Sequence, residues 1–161
     1  MKNDNDTKKI IFRIIIFAVI TFLALNAFWF SWRTIQYGKY SKGFTKTVFS
    51  EFFTPRYAFN DADGYEYYVK YPDYFTFTGN LSMNNPEHEA FEDQDICLFI
   101  WPKVFGQYEY GILIYDGGQE HQIYLDENGN AISPENKEIV QRHKDEIIDM
   151  FERADKQWDI K

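Results

Sequence analysis

The segment IIFRIIIFAVITFLALNAFWFSW, from Ile10 to Trp32, limits the fold of this chain more than any other. Within it, residues 14–32 are nineteen positions in a row without a charge. As an α-helix that rises ~1.5 Å per residue, this run is nearly as long as the ~30 Å hydrocarbon layer of a membrane. Its polar residues Thr21, Asn26 and Ser31 do not form one continuous face, which disfavours a core helix of a soluble domain.

The two ends of this segment favour a retained membrane anchor over a signal peptide that is removed. Arg13 lies near the start, where its long side chain can reach lipid headgroups, and the sequence FWFSW at 28–32 supplies aromatic residues typical of a membrane interface. Cleavage after Ala27 would need a small residue at the −3 position, but Leu25 stands there. We therefore expect residues 10–32 to cross the lipid bilayer once and to remain on the protein.

The net charge of −8 is divided unevenly along the chain. Residues 1–46 contain eight Lys or Arg and two Asp, whereas residues 47–161 contain nine basic and 23 acidic residues, so the two parts carry +6 and −14. An acidic domain is a poor match for nucleic acid, because phosphate contacts need a basic surface. We expect no nucleic-acid partner, and we assign most of the acidic side chains to solubility.

The orientation of the anchor depends on the charges beside it. Four Lys or Arg precede the uncharged run and four more lie within 33–46, so the positive-inside rule gives a tie. Lys8, Lys9 and Arg13 lie directly against the apolar run, and the N-terminal amine adds to them. The sequence therefore favours a protein of the cell membrane with its N-terminus inside and its soluble domain extracytoplasmic.

These features divide the chain into a short basic N-terminal tail, a transmembrane anchor, a juxtamembrane linker and an acidic α+β domain, at residues 1–9, 10–32, 33–44 and 45–161. The last part has the usual size of a single compact domain. Its one cysteine, Cys97, cannot form an intramolecular disulfide, so we expect a hydrophobic core to stabilise the domain.

Alternation of polar and apolar residues predicts that most of this domain is β-sheet. Strand character is found in five segments, namely 65–71, 74–83, 96–101, 108–116 and 121–126. Glycines in the pairs 117–118 and 128–129 predict tight turns, and the continuous apolar run 96–101 predicts a central strand covered on both faces. We expect an antiparallel meander of about five strands, in which aromatic residues, 20% of the chain, serve packing.

A short helix is predicted within residues 45–55, ahead of the sheet. Its apolar residues have helical spacing and are Val48, Phe49, Phe52 and Phe53. Pro55 marks its end. We expect these side chains to pack in the core, and the alternative is a helix that lies on the membrane surface.

A longer amphipathic helix is predicted at the C-terminal end. Ser133 is suited to cap it and Pro134 to occupy its first position. Its apolar stripe consists of Ile139, Val140, His143, Ile147, Met150, Phe151, Ala154 and Trp158. One helix of about six turns would then cover one face of the sheet, which makes the fold class α+β.

The twelve residues QIYLDENGNAIS, 122–133, together with the helix after them, resemble the strand–turn–strand units of small extracytoplasmic modules such as PepSY-type domains. No activity, ligand or site residue is carried over from so short a segment.

One stretch of the chain has the composition of a cation site. Between residues 84 and 95, six potential ligands occur close together, namely Glu87, His88, Glu89, Glu92, Asp93 and Asp95. Clustered oxygen ligands are what Ca²⁺ or another divalent cation needs. The stretch has no glycine for the sharp turn of a calcium loop, so the competing interpretation is a solvated acidic loop. We expect no other cofactor.

Two further segments only partly match calcium loops. The Asp-Ala-Asp-Gly sequence at 61–64 would have Phe59 and Lys70 at the first and last positions of an EF-hand loop, where acids are needed. The sequence DENGN, 126–130, lacks flanking helices and is interpreted as a turn.

The other reactive residue types have structural explanations. His143 belongs to the apolar stripe of the last helix, and Cys97 lies inside an apolar strand as a buried thiol. Glu120 and His121 could polarise a proton transfer, but no nucleophile is placed beside them, so a polar pair on an edge strand is favoured. The sequence therefore selects no catalytic residue.

Taken together, the sequence predicts a single-pass membrane protein that presents a small acidic domain for binding or protein interaction, with an envelope or membrane protein as partner. Two alternatives stay open. One is a small membrane-bound metal-dependent hydrolase that uses the acids of 84–95 or the Glu120–His121 pair. The other is an accessory subunit whose Asn26 pairs with a helix of a larger membrane complex.

Overall fold

The computed structural model describes residues 2–85 and 96–160, which divide into two compact units, Met1–Gln36 and Tyr37–Lys161. The first unit is helical and the second contains the sheet.

The first unit belongs to helix α1, Lys2–Gly38, which runs on for two residues into the second unit. From Asp6 to Gly38 this helix is long and apolar enough to cross a membrane, with a mean hydropathy of 2.4 in its most apolar stretch. The Nδ2 of Asn26 donates to the carbonyl of Phe22 at 2.8 Å, so this polar side chain bonds to its own helix. The predicted apolar helix is confirmed, and its length and composition are compatible with a membrane span or with a signal sequence.

The second unit is built on one antiparallel sheet. Its seven strands are β1 Thr45–Lys46, β2 Arg56–Asn60, β3 Glu66–Lys70, β4 Asn80–Asn84, β5 Ile96–Pro102, β6 Tyr108–Asp116 and β7 Gln119–Leu125. Each strand pairs with the next one along the chain, so the spatial order is the sequence order. The predicted α+β class and antiparallel meander are confirmed, but the sheet has seven strands rather than about five.

The two additional strands are β1, at the start of the segment in which a short helix was expected, and β2, directly after that segment. Strand β1 pairs with β2, and the N–H of Thr47 donates to the carbonyl of Arg56 at 2.9 Å. The four apolar side chains after it are exposed, namely Val48, Phe49, Phe52 and Phe53. The helix prediction was wrong because C-terminal helices already cover the buried face of the sheet, which leaves no core surface for these side chains. Thr45, Thr47 and Val48 are β-branched and also favour an extended backbone.

One face of the sheet forms the core. A row of buried side chains crosses five strands in register, namely Tyr67, Met83, Leu98, Ile112 and Ile123. The last helix, α3 (Lys144–Trp158), packs on this face with Trp158 5.6 Å from Tyr67 and Phe151 5.1 Å from Tyr110, measured between ring centroids. Burying each large apolar side chain contributes about 1.5–3 kcal/mol relative to leaving it in water, so this interface stabilises the unit.

The C-terminal helix is interrupted rather than continuous. Pro134–Asn136 form a 3₁₀ turn, α2 covers Lys137–Arg142, and His143 separates α2 from α3 with φ −107° and ψ 17°. Ser133 and Pro134 stand at the predicted start, although the Ser133 side chain makes no capping bond.

The interruption allows the two helices to bind different loops. Arg142 forms an ion pair with Asp116 at the end of β6, and Lys144 bonds to the turn that follows β7. Residues two positions apart on one regular helix point to opposite sides, so a single helix would not place both side chains on the sheet. The prediction of one continuous helix was wrong for this reason.

Hydrogen bonds hold the start of the second unit against one end of the sheet. The Tyr37 hydroxyl accepts from the N–H of Gly79 at 2.7 Å and donates to the carbonyl of Pro102 at 3.4 Å. Two further bonds follow, between the hydroxyls of Tyr40 and Tyr108 at 3.0 Å and between those of Ser41 and Tyr71 at 2.8 Å. The segment 37–41 is thereby held against the loops between β3 and β4 and between β5 and β6.

Gly79 is required at this junction because there is no room for a side chain. A Cβ added there would lie 2.2 Å from the carbonyl oxygen of Lys70 and 2.9 Å from the Tyr37 ring. The strand predicted over 74–83 begins only at Asn80, since Phe75 has a positive φ of 57° and Gly79 belongs to this close contact.

We predict that Gly79→Ala destabilises the second unit by about 1–3 kcal/mol, the usual cost of over-packing. The matched control is Gly38→Ala, whose added methyl would lie at an ordinary 3.8 Å from the Tyr71 hydroxyl. Denaturant unfolding of the full chain in detergent, followed by near-UV circular dichroism, compares the two variants. Equal stability of Gly79→Ala and the unchanged chain would contradict the tight contact with Tyr37.

Candidate functional site

An arginine of α3 binds the Asp-Ala-Asp-Gly loop between β2 and β3. Arg153 donates from Nη1 to Asp63 at 3.0 Å and from Nε to Asp149 at 2.8 Å, and its Nη1 lies 3.7 Å from Asp61. Its guanidinium also stacks over the Tyr65 ring at 4.1 Å. The hydrogen bonds to Asp149 and Asp63 raise the pKa of Arg153, so its charge is fixed. The carboxylates that suggested a calcium loop therefore neutralise a protein cation.

A lysine of α3 binds the DENGN turn after β7 in the same manner. The Nζ of Lys144 donates to the carbonyls of Asn128 and Gly129, both at 2.9 Å, and to Oδ1 of Asn130 at 2.8 Å. Burial acts to raise the pKa of Asp126, but hydrogen bonds from Asn130 and Asn128 lower it overall. The sequence interpretation of this segment as a turn is confirmed, and its oxygens hold Lys144.

The predicted cation site lies outside the described residues. All six candidate ligands, Glu87, His88, Glu89, Glu92, Asp93 and Asp95, fall within residues 86–95. Within 2–85 and 96–160, no group of three or more His, Cys, Asp or Glu side chains is placed to hold a metal ion. The cation hypothesis for 84–95 therefore stays a prediction.

The remaining reactive residues are not brought together. His121 lies half-buried on the edge strand β7 opposite Ile114, while Glu120 accepts a hydrogen bond from the Tyr115 hydroxyl at 2.7 Å. His143 forms the break between α2 and α3. Cys97 is half-exposed rather than buried, because its position on β5 faces away from the core.

The second face of the sheet is the main feature that the sequence did not predict. Burial alternates along β5, where Ile96, Leu98 and Ile100 are buried and Phe99 and Trp101 are half-exposed. The prediction of a strand covered on both faces was wrong, since aromatic residues on the open face make the segment look continuously apolar. Across the sheet, this open face consists of Tyr68, Ser82, Phe99, Gly111 and Tyr124 in register, with Trp101 next to Phe99.

A groove of about 210 Å³ lies on the open face. Its walls are Phe99 and Trp101, whose rings stack 5.9 Å apart at 11°, and Tyr124, whose ring lies 5.9 Å from Trp101. Gly111 forms the floor, where an added Cβ would come within 3.0 Å of the Trp101 ring. Tyr124 is 61% exposed, so one wall of the groove is open to solvent.

The lining of this groove combines aromatic rings with polar side chains. Asn80 and Gln122 place amide groups at its edge, where they can orient a ligand by hydrogen bonding. Sites for drug-sized ligands usually measure ~300–1,000 Å³, so this groove has room for a single ring or side chain. On the same face, burial and a hydrogen bond to Glu66 raise the pKa of Tyr68 to about 12, which keeps its phenol neutral at physiological pH.

Sequence reasoning assigned these aromatics to packing alone. The signal that could have found the groove is the spacing of Phe99 and Trp101, two residues apart on one strand and therefore on one face. A glycine on the neighbouring strand, Gly111, completes the pattern, because it leaves space beside the rings.

Comparison with known protein families, with curated proteins and with solved structures finds no match to this chain. The short resemblance of residues 122–133 to PepSY-type units is therefore not extended by a family match. Function has to be inferred from the helix and the two faces of the sheet.

We predict that Arg153→Gln lowers the free energy of unfolding by about 1–2 kcal/mol, because three carboxylates lose their cation in a partly exposed network. Lys156→Gln removes the same charge one helical turn further along α3 and serves as the control. Denaturant unfolding of the full chain at low and high salt measures both, and salt should reduce the difference. Equal losses in the two variants would contradict a specific role for Arg153.

Proposed function

We propose that this chain is a single-pass membrane protein that presents its acidic α+β unit outside the cytoplasm as a binding module. The observation that carries the proposal is α1, whose segment Asp6–Gly38 has the length and hydropathy of a membrane span. The proposal adds that the helix is retained, that it crosses the bilayer through residues 10–32, and that the second unit acts by non-covalent recognition.

The surface of α1 supports the membrane assignment. Large apolar side chains are exposed on all sides of it, including Ile10, Phe12, Ile14, Phe17, Ile20, Leu23, Leu25 and Phe28. In water each of these side chains is unfavourable, whereas Leu, Ile, Phe and Val each favour insertion by about 0.3–0.6 kcal/mol. Leu25 at the −3 position supports retention of the helix, and Lys8, Lys9 and Arg13 beside the span support a cytoplasmic N-terminus.

The open face of the sheet supports the binding role. Its groove fits one apolar or aromatic side chain, and the amides of Asn80 and Gln122 can bond to the backbone beside it. Residues 47–161 carry a net charge of −14, which favours a partner with a basic surface. We therefore propose an envelope or membrane protein as the partner, which inserts a side chain between Phe99, Trp101 and Tyr124.

We predict that the full-length chain stays in membranes after alkaline carbonate extraction and that Val19→Arg with Leu23→Arg releases it, since each central Arg costs about 2.5–3.5 kcal/mol. Thr34→Arg with Ile35→Arg, beyond the proposed span, is the matched control and should stay in the membrane. Protease added to intact spheroplasts should digest the second unit.

Extraction of the unchanged chain by carbonate would contradict the anchor. An intact mass that lacks the residues up to Ala27 would identify a cleaved signal sequence instead. Full protection of the second unit from protease would reverse the orientation.

We predict that a benzoylphenylalanine introduced in place of Tyr124 gives one discrete cross-linked product with an envelope or membrane protein in living cells. The same photoprobe at Ile148, which is 40% exposed on α3, is the control and should not give that product. Trp101→Ala should remove the product, because it takes away one wall of the groove. The same product from Ile148, or its persistence in Trp101→Ala, would contradict binding at the groove.

A further inference from the structure

Three loops lie together at one end of the sheet. In an antiparallel meander the connections alternate between the two ends, so the β1–β2, β3–β4 and β5–β6 connections share an end. Contacts join the β1–β2 and β3–β4 connections, since the rings of Phe53 and Tyr74 lie 5.0 Å apart and Thr54 donates to Asp73 at 2.7 Å. We call residues 47–55, 71–79 and 103–107 the loop rim.

The loop rim exposes large apolar side chains that the core does not use. Val48 is 93% exposed, Phe49 is 77% exposed and Phe105 is 94% exposed. Transfer of each such side chain out of water is worth about 1.5–3 kcal/mol. Apolar side chains grouped at one end of a folded unit are typical of a contact with a membrane or another protein.

The chain enters the second unit at this rim. Tyr37, the first residue of that unit, bonds to Gly79 in one rim loop and to Pro102 beside another. Tyr37 follows Trp32, the last residue of the proposed span, by five positions of helix α1, or about 7.5 Å of helical rise. The loop rim is therefore bonded to the residue that begins the second unit, five positions along the chain from the end of the proposed span.

The charge around this entry also suits a bilayer surface. Residues 37–56 contain Lys39, Lys42, Lys46 and Arg56 against the single acid Glu51, for a net charge of +3. Residues 57–161 carry −14. Basic residues next to a bilayer with anionic lipids are attracted by about 1 kcal/mol each. The basic part of the unit therefore lies in sequence beside the anchor and beside the first rim loop.

From exposure, attachment and charge together, we infer that the loop rim rests on the bilayer and inserts Val48, Phe49, Phe52 and Phe105 into its interfacial layer. The occupant of this surface is the lipid bilayer itself. The inference rests on the proposed function for the anchor and adds a second, peripheral contact made by the folded unit. Such a contact would fix the height and tilt of the unit above the membrane.

Nitroxide depth measurements on the full chain test this inference. In a Cys97→Ser background, single cysteines at Phe49→Cys and Phe105→Cys report on two rim loops, and Ala62→Cys reports on the exposed loop between β2 and β3. Val19→Cys reports on the span. The labelled chains are placed in vesicles of phosphatidylcholine with phosphatidylglycerol, and collisions with oxygen and with a water-soluble nickel chelate are compared.

We expect the Phe49 and Phe105 probes to favour oxygen over nickel, as the Val19 probe does, and the Ala62 probe to favour nickel. Near-UV circular dichroism of each labelled chain checks that it is folded. An aqueous report from either rim loop, with Val19 in the hydrocarbon, overturns the inference and leaves the proposed function standing. An aqueous report from Val19 contradicts the proposed function itself.

Discussion

The arrangement of the second unit depends on the hydrogen bonds of the buried Tyr37 hydroxyl. It accepts a hydrogen bond from the Gly79 N–H and donates one to the Pro102 carbonyl, so one side chain joins the entering chain to two separate loops. Burial raises the pKa of Tyr37 even though the Gly79 bond lowers it, and the phenol therefore remains a donor at physiological pH. The backbone at Gly79 lies so close to Tyr37 that there is no space for a Cβ. This close contact also fixes the end of the sheet at which the chain enters the second unit.

Within residues 2–85 and 96–160, helices cover only one of the two faces of the sheet, and the faces differ for this reason. Helix α3 packs on the core face, where Arg153 and Lys144 bind two separate loops through carboxylate and carbonyl oxygens. These cations neutralise loops that would otherwise place several oxygens close together without a counter-charge. The other face keeps Phe99, Trp101 and Tyr124 available, so apolar surface that would ordinarily lie in a core faces solvent instead.

Local patterns in the sequence were enough for the apolar helix, the α+β class and most strands, because these depend on periodicity over a few residues. They could not predict that Arg153 occupies a loop 90 residues earlier, since nothing near Asp63 indicates which cation it meets. The helix expected at 45–55 failed for a similar reason: its spacing was helical, but the core face it needed was already covered by α3. The open face was missed because Phe99 and Trp101 are apolar, and a solvent-facing aromatic looks like a core residue in sequence.

The loop rim and the open face have different neighbours if the rim rests on the bilayer. The rim lies at one end of the strands, so the strands then run away from the membrane and the open face stands at the side of the unit. A partner anchored in the same membrane would meet this face in a limited range of orientations and at a high effective concentration. Even a groove for a single side chain could then hold its partner, because the two proteins do not have to find each other in three dimensions. Under the proposed arrangement, a membrane protein would therefore occupy the groove more readily than a freely diffusing ligand.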